Sequence, residues 1–163
     1  MVTDPFHRQT PEYEILRRSD DPVLVILRGH LLIEVHLRDI LARAFKAPEE
    51  LEDARLTFYH VLAVTRAIVG RPDDPVWPFI KRLNEVRNKI AHLPRRTLSS
   101  ELRTLEPVGL DTMIDSVVEL LPPSGLVAAP VVRLYTAVAN TCESLKVFKN
   151  ALESEARRGL SLD

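Results

Sequence analysis

The chain has 163 residues, and its 22 lysine and arginine residues nearly cancel its 23 aspartate and glutamate residues, for a formal net charge of -1. A composition with 45% hydrophobic and 28% charged residues excludes an intrinsically disordered protein, and no apolar run approaches the roughly 20 residues that a membrane-spanning helix needs. Because the single Cys142 excludes an internal disulfide and no signal peptide opens the chain, we expect one cytoplasmic domain covering residues 1–163, without membrane association.

The first predicted element is a long amphipathic helix. Residues 1–11 carry no periodic pattern and are expected to form a loose lead-in. Asp21 followed by Pro22 is typical of a helix start, since Asp is a good N-cap and Pro suits the first helical position. Apolar residues at spacings of three and four then continue to about Lys46.

Two further helices follow after a short turn that opens at residues 48–50. The second helix begins near Leu56 and ends at Gly70, a residue that suits the left-handed position after a helix. The pair Asp74-Pro75 repeats the helix-start signal, and Pro94 ends the third helix because a proline disfavours helical backbone in the residue before it. The buried stripe of this third helix is predicted at Phe79, Leu83, Val86 and Ile90.

The second half of the chain is also predicted to be helical. A short helical piece is expected over residues 97–105, and Asp111 is expected to cap a helix from about 112 to 121. A loop at 122–130 precedes a final long helix that begins at Pro130 and runs to about Arg158, with Val131, Leu134, Val138, Leu145 and Phe148 as buried candidates. No segment alternates long enough for a strand, so we predict an all-α, single-domain bundle of five or six helices.

The end of the third helix carries the one chemically distinctive pattern, Arg87-Asn88 followed by His92. It resembles the Arg-x(4–6)-His signature of the HEPN superfamily (higher eukaryote and prokaryote nucleotide-binding domains), in which a polar residue typically follows the arginine. The helical layout from Arg28 to His92 is similar to HEPN domains, and it also looks like that of the mannitol operon repressor-type proteins, helical bacterial regulators.

The HEPN resemblance implies a helical homodimer that cleaves RNA without a metal or other cofactor, in a toxin–antitoxin or other defence system. Arg87 would hold the scissile phosphate, and His92 would move protons to or from the 2′-hydroxyl or the leaving oxygen. The expected partners are therefore RNA and an antitoxin or regulatory protein. A tyrosine that some HEPN toxins carry two residues after the histidine is replaced here by Pro94, which argues against regulation through modification of that tyrosine.

Helical geometry separates the two motif residues. At about 100° per residue, Arg87 and His92 lie roughly 140° apart on an unbroken helix. They converge on one phosphate only if the last turn unwinds, or if a second copy of the motif faces the first across a twofold axis. Asn88 lies one turn before His92, where it is expected to bond the imidazole and set its tautomer.

The charge is distributed unevenly around this motif. Residues 81–103 contain seven basic and two acidic residues, a net charge of +5, so the rest of the chain carries -6. Such a basic segment suits phosphate attraction, and Lys89, Arg95 and Arg96 are the predicted RNA contacts. The alternative is an ordinary solvated face.

His30 and Glu34, one turn apart on the first helix, are predicted to support Arg87 as a polar patch. They are not predicted to bind a metal, because His36 lies on a different helical face. A purely structural interpretation stays open, in which Arg87 pairs with Glu34 and His92 interacts with the last free carbonyls of its helix. The chain would then be a non-catalytic interaction module that regulates transcription indirectly.

Overall fold

Helices form all the regular secondary structure in the residues that the computed structural model describes, which are 10–92, 107–120 and 129–159. The all-α prediction is confirmed, but these residues contain seven helices where we expected five or six in all. The two unexpected helices are short, with six and five residues. In chain order the helices are α1 Pro11–Leu16, α2 Pro22–Ala44, α3 Glu49–Asp53, α4 Phe58–Val69, α5 Val76–Ala91, α6 Pro107–Val118 and α7 Pro130–Gly159.

Local capping explains the helix boundaries that the sequence predicted well. The Asp21 carboxylate accepts a hydrogen bond from the Val23 N–H at 2.9 Å, which confirms the start of α2. Gly70 ends α4 with a φ of 66°, in the left-handed region that favours glycine. The Asp74 carboxylate accepts from the Val76 N–H at 3.1 Å and orders the start of α5.

Three boundaries differ from the predictions. The lead-in is not loose up to residue 11, because Pro11 already begins α1 and the Thr10 hydroxyl accepts a hydrogen bond from the Tyr13 N–H. The turn at 48–50 leads into α3. Asp111 lies inside α6 instead of capping it, since that helix begins at Pro107, a residue suited to the first helical position.

Two predicted segments fall largely outside the described residues. These are the helical piece at 97–105 and the loop at 122–130, of which only the last two residues are described. Pro130, the second of them, already begins α7.

A single cluster of buried apolar side chains joins α1, α2, α4, α5, α6 and α7. The central helix is α2, which packs against α7, α4 and α5. The predicted α5 stripe is fully confirmed, and on α7 only Val131 is half-buried instead of buried. Cys142 is also in this core, and burial raises the pKa of its thiol to about 12, so it is held as an inert thiol.

Helices α2 and α7 approach closely at Gly29. A Cβ atom at this position would lie 3.0 Å from a methyl carbon of Val138, closer than ordinary van der Waals contact. Glycine therefore allows the two longest described helices to pack tightly at the centre of the bundle. None of the described helices is both long and apolar enough to cross a membrane.

Helix α1 is attached to α2 and α7 by polar contacts as well as by the buried Leu16. The Glu12 carboxylate lies 3.1 Å from His36 Nε2 and accepts a hydrogen bond from Lys146 Nζ at 2.9 Å. The ring of Tyr13 meets that of Tyr135 edge-on at 5.2 Å. These contacts join the consecutive helices α1 and α2 to α7, which is distant along the chain.

Candidate functional site

Helix α5 presents the motif at its C-terminal end, and the helix continues unbroken as far as His92. The His92 N–H donates to the Asn88 carbonyl at 3.1 Å, which is the regular helical hydrogen bond. His92 is the C-cap residue and is exposed, whereas Arg87 is half-buried. Because the last turn has not unwound, Arg87 and His92 leave the helix in different directions.

The Arg87 guanidinium contacts its sequence neighbour. Its Nη1 donates to Asn88 Oδ1 at 3.0 Å. Between these described side chains, the expected hydrogen bond from Asn88 to the His92 imidazole is not formed. The Asn88 oxygen therefore orients Arg87, and it does not set the tautomer of His92.

Helix α2 contributes His30 to the buried side of the motif. His30 Nε2 lies 2.9 Å from Asn84 Oδ1, and the His30 ring packs on Phe58 at 4.3 Å. Burial lowers the pKa of His30, and the nearby positive charge of Arg87 lowers it as well. Both effects favour the neutral form of the His30 imidazole.

Asn84 is the site residue that the sequence reasoning missed. It precedes Asn88 by four residues, and Asn88 precedes His92 by four, so the three polar residues follow one face of α5. This repeated spacing was the available signal. Asn84 connects the motif helix to α2 through His30, 54 residues away along the chain.

Glu34 was predicted either to support Arg87 as part of a polar patch or to form an ion pair with it, but its ion pair is with another arginine. Its carboxylate pairs with Arg38 at 2.7 Å, one turn further along α2. The structural ion pair between Arg87 and Glu34 is therefore not formed. His36 faces Glu12 instead, and within the described residues no group of three or more potential metal ligands lies together.

The basic residues of α5 divide into paired and unpaired side chains. Arg82 donates to Ser116 at 3.1 Å and pairs with Glu85 at 3.0 Å, so it ties α5 to α6. Lys81 and Lys89 are exposed and have no ion pair within the described part of the chain. The predicted RNA contacts Arg95 and Arg96 lie outside the described residues.

One copy of the site therefore offers an exposed imidazole at the end of α5 and a half-buried guanidinium on another face of the same helix, more than one turn earlier. A guanidinium binds phosphate, and an exposed imidazole transfers protons near neutral pH. Comparisons of this chain with protein-family models, curated proteins and solved structures found no match.

Proposed function

We propose that this chain is a HEPN-like RNA-binding domain that acts in the cytoplasm as a metal-independent endoribonuclease, in a toxin–antitoxin or defence system. The observation that carries the proposal is the exposed His92 at the end of α5, preceded by Arg87 and Asn88. The hydrogen bond from Arg87 to Asn88, on a helix that the buried His30 contacts through Asn84, supports a guanidinium held in one orientation.

The proposed reaction uses the 2′-hydroxyl of RNA as the nucleophile. His92 accepts the 2′-hydroxyl proton or gives a proton to the leaving 5′-oxygen, and Arg87 stabilises the charge that develops on the phosphate oxygens. The new bond between the 2′-oxygen and phosphorus replaces the bond between phosphorus and the 5′-oxygen, and the 5′-oxygen gains a proton as the 2′-hydroxyl loses one. The products are a 2′,3′-cyclic phosphate and a free 5′-hydroxyl. DNA lacks the nucleophile and should not be cleaved.

Two copies of the chain are part of this proposal, since one copy separates Arg87 from His92. A twofold axis near the end of α5 would let His92 of one copy meet Arg87 of the other. A candidate interface is the α2 stripe, which we define as Leu24, Leu27, Leu31 and Val35. Leu31 and Val35 are 60% and 64% exposed, which is unusual for two aliphatic residues one turn apart.

The decisive experiment measures RNA cleavage in EDTA by the wild type and by the Arg87→Ala and His92→Ala variants. We expect each substitution to slow cleavage by about 10²-fold or more, since each removes a group that acts in the transition state. Arg17→Ala is the matched control, because Arg17 is an exposed arginine on another part of the surface. Equal rates in the wild type and both motif variants, or no cleavage by any of them, would rule out the nuclease.

The toxin assignment is tested in cells. Expression of the wild type should arrest growth, and His92→Ala should relieve the arrest at equal protein levels. Arrest that persists with His92→Ala would separate toxicity from the motif.

A second candidate function is a non-catalytic module that binds a protein partner and regulates transcription indirectly, similar to the mannitol operon repressor type. The unbroken end of α5 and the exposed α2 stripe favour it. This candidate predicts that Leu31→Asp abolishes binding to a partner, while Arg87→Ala and His92→Ala leave that binding unchanged.

A further inference from the structure

A cleft with a volume of about 430 Å³ lies between α4 and α5, and its lining does not include Arg87, Asn88 or His92. Its walls combine buried apolar side chains with exposed polar ones. Trp77 and Leu62 are 3% and 9% exposed and form its base, whereas Tyr59 is 70% exposed at its edge. We call it the α4–α5 cleft. An aromatic ring left this open to solvent beside an apolar base is suited to stacking with a planar ligand.

The charged groups of the α4–α5 cleft differ in whether they are already bonded. Arg66 donates to the Pro72 carbonyl at 2.7 Å, and Asp74 accepts from the Val76 N–H, so both serve the loop between α4 and α5. Lys81 and Asp73 have no hydrogen bond or ion pair within the described residues. The cleft therefore offers one cation and one carboxylate acceptor to a ligand.

The α4–α5 cleft is aligned with the motif along α5. At 100° per residue, Asn88 and His92 each lie about 20° from Lys81, on opposite sides of it, so the three residues share one helical face. Eleven residues separate Lys81 from His92, or about 16 Å along the helix axis. A few nucleotides of single-stranded RNA can span this distance.

We propose that the α4–α5 cleft binds one base of the single-stranded RNA whose backbone reaches His92, an inference that rests on the proposed function. Tyr59 stacks on the base, Lys81 contacts a phosphate, and the Asp73 carboxylate accepts a hydrogen bond from an exocyclic amino group. Adenine, cytosine and guanine carry such a group and uracil does not. The cleft thus prefers amino-bearing bases over uracil.

The chain contains one tryptophan, Trp77, so its fluorescence reports occupancy of the cleft directly. Titration with oligo(C) or oligo(A) RNA should change Trp77 emission, and oligo(U) should bind about tenfold more weakly. Tyr59→Ala should weaken oligo(C) binding by about tenfold or more, because stacking on an aromatic ring is lost. Tyr59→Phe should restore it.

Two further variants test the assigned contacts. Lys81→Ala should weaken all RNAs alike and reduce the salt dependence of binding by about one phosphate contact. Asp73→Ala should remove the preference over oligo(U). The matched controls are Phe45→Ala, an exposed aromatic residue elsewhere, and Lys46→Ala, an exposed lysine elsewhere; both should bind as the wild type does.

Failure of this proposal is distinguishable from failure of the proposed nuclease. RNA cleavage with an unchanged KM in Tyr59→Ala, or Trp77 emission that does not respond to RNA, would overturn the cleft and leave the nuclease standing. Oligo(C) binding that depends on Tyr59 in a protein that cleaves no RNA would support the cleft and reject the nuclease. His92→Ala should leave Trp77-detected binding intact.

Discussion

At the scale of single residues, Glu12 is a buried carboxylate whose side chain has charged or polar partners on two other helices. It is 8% exposed and receives hydrogen bonds from two other helices. Burial alone would raise the pKa of its carboxyl, but the hydrogen bond and positive charge of Lys146, together with hydrogen bonds from the backbone and His36, lower it below its ordinary value. The pKa of Lys146 is raised by Glu143 and Glu12 despite the opposing effect of burial. Both shifts stabilise the folded state when the pair is ionised.

Glu12→Gln should lower the free energy of unfolding by about 1–3 kcal/mol, because Lys146 then loses a charged partner in a partly buried site. The lowered pKa of Glu12 makes this stabilisation complete above pH 4.5, the ordinary value, and it disappears as the pH falls through the folded-state pKa. Urea unfolding at neutral pH and well below pH 4.5 measures both effects.

The matched control for this substitution is Glu14→Gln on the same helix, where the carboxylate pairs with an exposed arginine. It should cost less than about 1 kcal/mol. A Glu12→Gln variant as stable as this control, or a loss that persists unchanged at low pH, would contradict the role of the buried pair.

Residue-scale prediction from sequence succeeded for buried positions and failed for contact partners. Phe79 and Leu145 were correctly expected in the core, because periodicity identifies which face of a helix is buried. Periodicity does not identify what lies opposite that face. Arg87 donates a hydrogen bond to its neighbour Asn88 and forms no ion pair with Glu34. His30 contacts Asn84 because α2 packs on α5.

At the scale of helices, the contact between Gly29 and Val138 sets how closely α2 and α7 approach. Gly29→Ala has two opposing effects: alanine favours the helix by about 1 kcal/mol, and its Cβ crowds the Val138 methyl groups. In a Val138→Ala background the crowding is removed. We therefore expect Gly29→Ala to stabilise that background by about 1 kcal/mol and to be less favourable in the wild type.

A double-mutant cycle in thermal or urea unfolding checks this expectation. Gly70→Ala supplies a contrast, because a Cβ there meets no neighbour and the cost arises from the positive φ alone. That substitution should be insensitive to Val138→Ala. A Gly29→Ala effect that is the same in both backgrounds would show that the two side chains are not coupled.

Helix prediction from sequence was accurate where helices are long. For α2, α4, α5 and α7, several turns of apolar periodicity and a proline or glycine at an end specified the element. Helices α1 and α3 have six and five residues, too few to show a period, and α1 is stabilised by partners on α2 and α7. The start of α6 was predicted too late because Asp is a strong N-cap residue and Asp111 was taken as the cap, whereas the helix begins at Pro107 and holds Asp111 in its interior.

At the scale of the whole molecule, the proposed dimer predicts which surface substitutions separate two copies of the chain. Leu31→Asp or Val35→Asp should convert a dimer into a monomer, since a carboxylate would replace apolar contact area at a twofold interface. Light scattering after gel filtration measures the mass, and RNA cleavage should fall with it.

Val147→Asp is the control for the dimer, because Val147 is 60% exposed on α7, outside the α2 stripe. It should leave mass and cleavage unchanged. If the dimer persists in both the Leu31→Asp and the Val35→Asp variants, the α2 stripe is not the interface. If the wild type is a monomer that cleaves RNA, His92 and Arg87 must act within one chain.

The pairing of α2 with α7 also has a consequence for biosynthesis. Helix α2 is synthesised before α7, but Gly29 packs against Val138 on α7, and Glu12 pairs with Lys146, 134 residues later. A ribosome exposes the chain from its N-terminus, so the nascent segment keeps one side of α2 uncovered until α7 has emerged from the exit tunnel. The domain therefore completes its core only after α7 has emerged, and the side of α2 that α7 covers stays exposed on the nascent chain until then.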